Sequence, residues 1–316
     1  MRVAVVGAGV SGLTCAVVLA DAGFRVTVIA DDFEPRASAA AAAIWFPYAI
    51  GPIADAMRWA HHSYDRFREL ASVAETGVSF IDFRVLSEKE VSEPPDWAER
   101  YGAAKLPGSD CGPYRSGFRI NVPLIDTRRY LPWLRAQLER RTDRIETTIR
   151  SLSDLIGYDV IVNCSGHRAA TLHGRGPAID PRRGIVLRLP NPGISHASVF
   201  EEDAGRLMYV VPRGDDVVLG GTYEPTGDEQ NLPEDIATTI LDRCSRIEPR
   251  LAGIDSGKVL IAAGIRPVAA EVCLRLERGD GPSPVIHNYG HGGSGFTVSW
   301  GCAADVLKLV RQASAD

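Results

Sequence analysis

A glycine-rich turn near the N-terminus constrains the fold of this 316-residue chain more than any other feature. Residues 2–6 form an apolar strand pattern, and Gly7, Gly9 and Gly12 follow it with the spacing Gly-x-Gly-x-x-Gly before a helical pattern. The first glycine of such a turn allows a tight bend, the second lets a pyrophosphate approach the backbone, and the third lets helix and strand pack closely. The helix N–H groups then face the anion. The sequence therefore predicts a Rossmann-type dinucleotide site.

Further strand and loop signals support a large cofactor. A second apolar strand pattern covers 26–29, and Asp31 lies 31 − 12 = 19 residues after Gly12, where a ribose-binding carboxylate is expected. A third strand pattern at 159–163 is typical of the strand beside the first. Near the C-terminus a strand pattern leads into the glycines of 290–295 and a second helix pattern. Two glycine loops, each opening a helix, fit FAD held at both ends.

Composition limits the classes of partner. Thirty-five basic and forty acidic residues give a net charge of −5 without long runs of one sign, which argues against nucleic acid and anionic membranes. Six scattered cysteines lack Cys-x-x-Cys spacing, so we expect buried thiols and no metal site. We expect no secretory leader, and the sequence has no apolar stretch long enough to span a bilayer. We therefore expect a cytoplasmic protein that acts on a small molecule.

Periodicity predicts an α/β fold with two domains. Helical spacing covers 53–71, strand alternation covers 79–86, and a proline- and glycine-rich stretch at 92–117 predicts a long loop. Short alternating runs between 184 and 276 predict a second, mainly antiparallel sheet. We predict a Rossmann-type FAD-binding domain of residues 1–50, 126–180 and 280–316, and a substrate-binding domain of residues 51–125 and 181–279.

Several motifs, in order, resemble the D-amino-acid oxidase family over nearly the whole chain. Besides the N-terminal turn, they are Ala42-Ala-Ile-Trp45 with Pro47-Tyr48, Asp159-Val-Ile-Val-Asn-Cys-Ser-Gly166, Tyr209-Val-Val-Pro212, Gly264-Ile-Arg-Pro267 and His287-Asn-Tyr-Gly-His-Gly-Gly-Ser-Gly295. A nicotinamide-dependent Rossmann enzyme would need only the first turn. The resemblance implies an FAD enzyme that transfers the α-hydrogen of a D-amino acid as hydride to flavin N5. The products would be a 2-oxo acid, ammonia and, with molecular oxygen as acceptor, hydrogen peroxide; a homodimer is possible.

The resemblance also assigns roles to individual residues. Arg266 would bind the substrate carboxylate bidentately, Tyr209 would donate its hydroxyl to the same carboxylate, and the Gly293 carbonyl would accept from the substrate amine. The predicted substrate pocket consists of Ile44, Phe46, Tyr48, Tyr209, Val211, Arg266, Gly293 and Ser294. The predicted cofactor residues are Gly7, Ala8, Gly9, Val10, Ser11, Gly12, Asp31, Asp32, Ser38, Ala42, Ala43, Ile44, Ile149, Cys164, Ser165, Gly166, Gly264, Arg266, Gly292, Gly293, Ser294, Gly295, Phe296 and Thr297.

One departure leaves the substrate class open. Many family members carry a second active-site tyrosine on a lid four residues before the position of Tyr209, but residues 203–208 contain none. We therefore expect a short lid. Phe46, Val211 and Ile44 as pocket walls predict a preference for neutral or branched apolar side chains. An acidic D-amino acid would need an extra cation, which Arg206 or Arg115 could supply. A glycine or secondary-amine flavin oxidase, or a flavin-binding protein without activity, remain alternatives.

Overall fold

The computed structural model describes residues 1–34, 36–173, 177–203, 206–225, 232–279, 281 and 283–315, with the backbone alone at residues 173, 202, 203, 206 and 315. The strands are β1 Arg2–Val6, β2 Arg25–Ala30, β3 Val78–Ser87, β4 Ala104–Lys105, β5 Ser116–Ile125, β6 Asp143–Glu146, β7 Val160–Asn163, β8 Asp180–Pro190, β9 Ala197–Asp203, β10 Arg206–Arg213, β11 Asp216–Gly220, β12 Glu224–Pro225, β13 Leu260–Glu277 and β14 Val285–His291. The α-helices are α1 Val10–Asp21, α2 Arg36–Ala40, α3 Ile53–Leu70, α4 Asp96–Glu99, α5 Thr127–Leu138, α6 Ala169–His173, α7 Ile236–Ser245 and α8 Gly295–Ala315.

The described strands form one continuous sheet with a parallel and a mainly antiparallel half. Its order is β4-β5-β3-β9-β10-β11-β8-β13-β14-β7-β1-β2-β6, with β12 paired to β8. Strands β14, β7, β1, β2 and β6 run parallel, and Val3 pairs with Val26 on one side and Val160 on the other. The predicted α/β class, with a Rossmann-type half, is confirmed.

The expectation of a separate second sheet is wrong. The reason is the length of β13, whose residues 260–268 pair with β8 and whose residues 273–277 pair with β14. One strand therefore joins the antiparallel half to the parallel half. The stretch 92–117 also differs from a plain loop, because it contains α4 and β4. The predicted division into two domains stays a prediction.

Helices α1, α3 and α8 pack together beside the parallel half of the sheet. Their contact is close because Gly301 of α8 faces the main chain of Trp59 in α3. The same layer fixes the segment after α2, since the buried Trp45 donates its indole N–H to the Ala60 carbonyl at 2.9 Å. All six cysteines are buried, as predicted. No described helix is both long enough and apolar enough to cross a bilayer.

Gly301→Ala tests this helix contact. An added methyl group would overlap the Trp59 backbone, which cannot move without displacing α3, so we expect the free energy of unfolding to fall by about 1–3 kcal/mol. Urea unfolding of the purified protein measures the change. Gly108→Ala is the control, because a Cβ there meets no atom within 4 Å. Equal stability of the two variants would contradict the proposed close contact.

Candidate functional site

A cavity of about 610 Å³ runs from the end of β2 to the antiparallel half of the sheet. The N-terminal ends of α1 and α8 both line it, at Val10 and Gly295. Because helix N-termini carry partial positive charge and N–H groups without helical acceptors, two of them at one cavity favour an anionic ligand. The shape and the two helix ends agree with the predicted extended cofactor.

The N-terminal turn has the geometry that its glycines predict. Gly7 adopts φ 111°, and a Cβ there would overlap the main-chain carbonyl of Cys164. The first hydrogen bond of α1 runs from the Leu13 N–H to the Gly9 carbonyl at 2.9 Å. Across the turn, the Val10 N–H donates to Ser38 Oγ at 3.1 Å. Backbone and Ser38 hydroxyl therefore meet at the place predicted for the pyrophosphate.

An ion pair lies at the β2 end of the cavity. Asp31 Oδ2 is 2.6 Å from Arg168 Nη1, and Arg168 also donates to the Ile149 carbonyl at 3.3 Å. Asp32 instead accepts the Glu34 N–H at 2.7 Å, which makes it a local turn residue that also lines the cavity. Arg168 was missed by sequence reasoning because it lies 137 residues from Asp31. The Asp31 carboxylate is thus oriented where a ribose-binding group is expected.

Arg266 and Tyr209 come together at the other end of the cavity. Arg266 on β13 donates from Nη1 to the Thr222 carbonyl at 2.8 Å. Burial raises the pKa of Tyr209 above its usual value, and the nearby Arg266 charge opposes this only in part. The phenol therefore keeps its proton and can donate a hydrogen bond. An arginine and a protonated tyrosine on one side of a cavity form a binding site for a carboxylate.

Two strand glycines make room for this pair. A Cβ on Gly184 would overlap the Arg266 guanidinium, and one on Gly220 would overlap the Tyr209 ring. Gly220 lies directly opposite Tyr209 in the pairing of β10 with β11. The sequence analysis did not predict that these glycines make room for Arg266 and Tyr209, although a glycine inside a strand pattern is a signal of close approach. Arg266 and Tyr209, the proposed carboxylate clamp, thus depend on Gly184 and Gly220, and the four residues lie on four strands.

Aromatic and aliphatic side chains form the wall next to the clamp. Phe46 stacks on Tyr48 with ring centroids 5.5 Å apart and meets Phe83 edge-on at 5.3 Å. Ser294 in the C-terminal glycine loop donates to the Tyr48 carbonyl at 2.9 Å, which joins this wall to α8. Lining residues that the sequence did not suggest include Phe83, Val199, Leu207, Thr222 and Tyr223. These surround the space where a substrate side chain would lie.

The structure brings the predicted site residues into one cavity, with two exceptions. All of the predicted substrate-pocket residues line it, as do the predicted cofactor residues other than Gly12 and Thr297. Gly12 lies beneath the turn, where a Cβ would overlap the Gly7 carbonyl. The buried Thr297 hydroxyl is engaged by the main chain of Phe46, with both its N–H and its carbonyl at 3.2 Å. Thr297 therefore positions the wall through Phe46, and its predicted contact with flavin stays a prediction. The roles of the lining residues stay predictions.

The structure does not support Arg115 or Arg206 as the second cation that an acidic substrate would need. Arg115 does not line the cavity; its Nε is 3.4 Å from Glu90 in an exposed ion pair. The side chain of Arg206 lies outside the described residues, as do residues 204 and 205 of the expected lid. Strand β9 ends at Asp203 and β10 begins at Arg206, and the short lid expected between them stays a prediction. The proposal of an acidic substrate therefore lacks a described second cation.

Comparison with known proteins identifies the family. The family model described as "FAD dependent oxidoreductase" (DAO) matches residues 2–309. A D-amino-acid oxidase of Rubrobacter xylanophilus is 40% identical, with 98% of this chain and 95% of the relative covered. A D-amino-acid oxidase of Streptomyces coelicolor is 39% identical, covering 98% and 96%. The crystal structure of an iminodiacetate oxidase from Chelativorans sp. BNC1 has a TM-score of 0.79 at 22% identity and covers 98% of this chain and 95% of its own. The chain belongs to the DAO family of FAD-dependent oxidoreductases.

The observed cavity fits that cofactor. Gly7 and Gly9 leave main-chain space beside the N-terminus of α1, Ser38 closes one side, and Asp31 lies beyond. Ala43 adopts φ 54°, which turns residues 42–44 along the cavity between the two glycine loops. Gly7, Gly9 and Ser38 would hold the pyrophosphate of FAD. Asp31 would bind the ribose, and residues 42–44 would lie against the flavin ring. The opposite end of the same cavity carries Arg266 and Tyr209, the proposed carboxylate clamp.

Asp31→Asn tests the ribose end of the cofactor site. Loss of the carboxylate removes a charged hydrogen-bond acceptor, so we expect FAD affinity to fall about tenfold or more. Titration of the apoprotein with FAD, followed by flavin fluorescence, measures this. Asp21→Asn is a matched control: Asp21 pairs with Arg141 at 2.6 Å and its side chain is 56% exposed, against 2.6 Å and 52% for Asp31. Equal affinities of both variants would contradict the assignment.

Proposed function

We propose that this protein is a D-amino-acid oxidase. It would deaminate D-amino acids with FAD, giving a 2-oxo acid and ammonia, and pass the electrons to oxygen to form hydrogen peroxide. The observation that carries the proposal is the Arg266–Tyr209 pair at one end of a cavity whose other end suits FAD. The names of the two relatives that are about 40% identical support the same activity.

The side chains of this site suit positioning more than proton transfer. Arg266 and the Tyr209 hydroxyl bind the substrate carboxylate, while the Gly293 carbonyl accepts from the amine, so three points fix the α-carbon. Bound FAD supplies the acceptor for the hydride that leaves this carbon. The buried His291 hydrogen-bonds with Asn288 at 3.0 Å, and burial lowers its pKa to about 4. It is therefore neutral at pH 7 and acts as a packing residue.

The wall residues favour a neutral or apolar substrate side chain. Phe46, Phe83, Val199 and Leu207 present ring and aliphatic surface next to the clamp. Burial of apolar surface would stabilise a branched or thioether side chain there. A glycine or secondary-amine oxidase is the second candidate, because the structural neighbour acts on iminodiacetate by its name. Such a substrate would leave this apolar wall without a contact.

Anaerobic flavin reduction tests the proposed function. The yellow holoenzyme is mixed with D- and L-valine, D- and L-methionine, glycine and iminodiacetate, and flavin absorbance is recorded. We expect rapid bleaching by the D-amino acids alone, reversed by air. Faster bleaching by glycine or iminodiacetate would favour the second candidate. Absence of bleaching in all samples would contradict both oxidase proposals.

Arg266→Lys tests the carboxylate clamp. Lysine keeps the charge but loses the planar bidentate geometry, so we expect kcat/KM for D-methionine to fall at least about 100-fold. The FAD content of the purified variant is measured alongside. Arg275→Lys on the same strand is the control, because Arg275 is exposed and pairs with Glu277. A clamp variant that retains wild-type kcat/KM would contradict the role of Arg266.

A further inference from the structure

We propose that Glu201 is a specificity-determining residue at the outer rim of the substrate pocket, where its carboxylate favours cationic substrate side chains and disfavours acidic ones. This inference rests on the proposed function and names the substrate class of the same site. The inner wall of the pocket is apolar, whereas the Glu201 carboxylate adds a negative charge at the rim. D-Lysine and D-arginine are the substrates whose side chains suit it.

Strand alternation directs Glu201 toward the pocket. Successive strand residues point to opposite faces, and Val199 lines the cavity while Phe200 packs into the separate core behind the sheet. Glu201 therefore shares the face of Val199. Across the strand pair, Leu207 lies opposite Glu201 and also lines the cavity. The carboxylate thus belongs to the pocket side of the antiparallel sheet.

A hydrogen bond fixes the carboxylate at the rim. Tyr48 lines the cavity and donates its hydroxyl to Glu201 Oε1 at 2.6 Å. Tyr48 itself is held by Ser294 through its carbonyl and by stacking on Phe46. Glu201 is nevertheless solvent-exposed, so it can meet a charged group without the cost of burying a charge. The rim therefore carries an oriented negative charge.

The spacing along the strands suits a long side chain. Val199 pairs with the clamp residue Tyr209, and Glu201 pairs with Leu207 two residues further. Two strand residues span about 7 Å, so the backbone of Glu201 lies about that far along the sheet from the backbone level of Tyr209. The extended side chain of lysine or arginine covers a distance of this order. Its apolar stem would pass Leu207 and Val199, and its cationic end would reach Glu201.

Charges in the rest of the lining agree with this selectivity. Among the described residues three arginines line the cavity, and of these only Arg266 lies beside Tyr209 and Thr222, where it is committed to the α-carboxylate. Arg168 pairs with Asp31 at the other end, and Arg36 starts the helix that follows β2. Within the described lining, an acidic side chain would therefore meet Glu201 without a compensating cation. Like charges at this distance weaken binding.

Glu201→Gln is the variant that tests the proposal. D-Lysine and D-norleucine differ at the terminal ammonium group, so the ratio of their kcat/KM values isolates its contribution. We expect the substitution to lower this ratio about 1.5- to fivefold, the range for an exposed charge pair. The D-glutamate to D-glutamine ratio should rise by a similar factor. In the wild type, added salt should also lower the D-lysine to D-norleucine ratio.

Two further variants separate charge from structure. Tyr48→Phe removes the hydrogen bond and keeps the carboxylate, so it should lower the ratio less than Glu201→Gln does. Glu75→Gln changes net charge equally at an exposed site and should leave the ratio as in the wild type. An unchanged ratio in Glu201→Gln, with D-norleucine oxidised, would overturn this proposal alone. Failure of the wild type to oxidise any D-amino acid would overturn the proposed function and this inference with it.

Discussion

The site depends on two side chains that occupy space left free by glycine. The Arg266 guanidinium lies over Gly184, and the Tyr209 ring lies over Gly220. Both glycines belong to strands beside the residue they accommodate, so any side chain there would push the clamp out of the sheet surface. The proposed substrate binding therefore depends on sheet register, because a one-residue shift of β8 would bring Arg183 or Ile185, each with a Cβ atom, to the place of Gly184.

The same register joins substrate site to cofactor site. Strand β13 carries Arg266 where it pairs with the antiparallel half, and it continues to pair with β14 of the parallel half. Strand β14 then leads into the glycine loop and the N-terminus of α8, which faces the cavity. One long strand thus holds the carboxylate clamp at a fixed place relative to the cofactor cradle. Such placement is what hydride transfer requires of the protein.

Local sequence signals predicted the cofactor half of the cavity. The turn at Gly7, the carboxylate at Asp31 and the C-terminal glycine loop each depend on a few neighbouring residues, and the structure places them in one cavity. Arg266 and Tyr209 were recognisable because their motifs resemble a known family. These predictions concern short segments, for which backbone geometry and sequence are closely linked.

Pairing between distant segments could not be predicted in the same way. The Thr297 hydroxyl contacts Phe46, 251 residues away, and Tyr48 contacts Glu201, 153 residues away. The strand glycines matter only because β8 lies beside β13 and β10 beside β11. The expected second sheet is likewise part of one sheet, because β13 is long enough to pair with both β8 and β14. Each of these features depends on the order of strands in the sheet, which cannot be predicted from local patterns in a single sequence.

Benzoate binding to Gly184→Ala tests the central claim most directly. Benzoate has a carboxylate but no amine or α-hydrogen that could be oxidised, and its binding changes the absorbance of bound flavin. The account predicts that Gly184→Ala retains FAD but binds benzoate about tenfold or more weakly, since the added methyl displaces the Arg266 guanidinium. Gly279→Ala, where a Cβ meets no atom within 4 Å, should bind benzoate as the wild type does. Wild-type benzoate affinity in Gly184→Ala would contradict the claim that space at Gly184 forms the clamp.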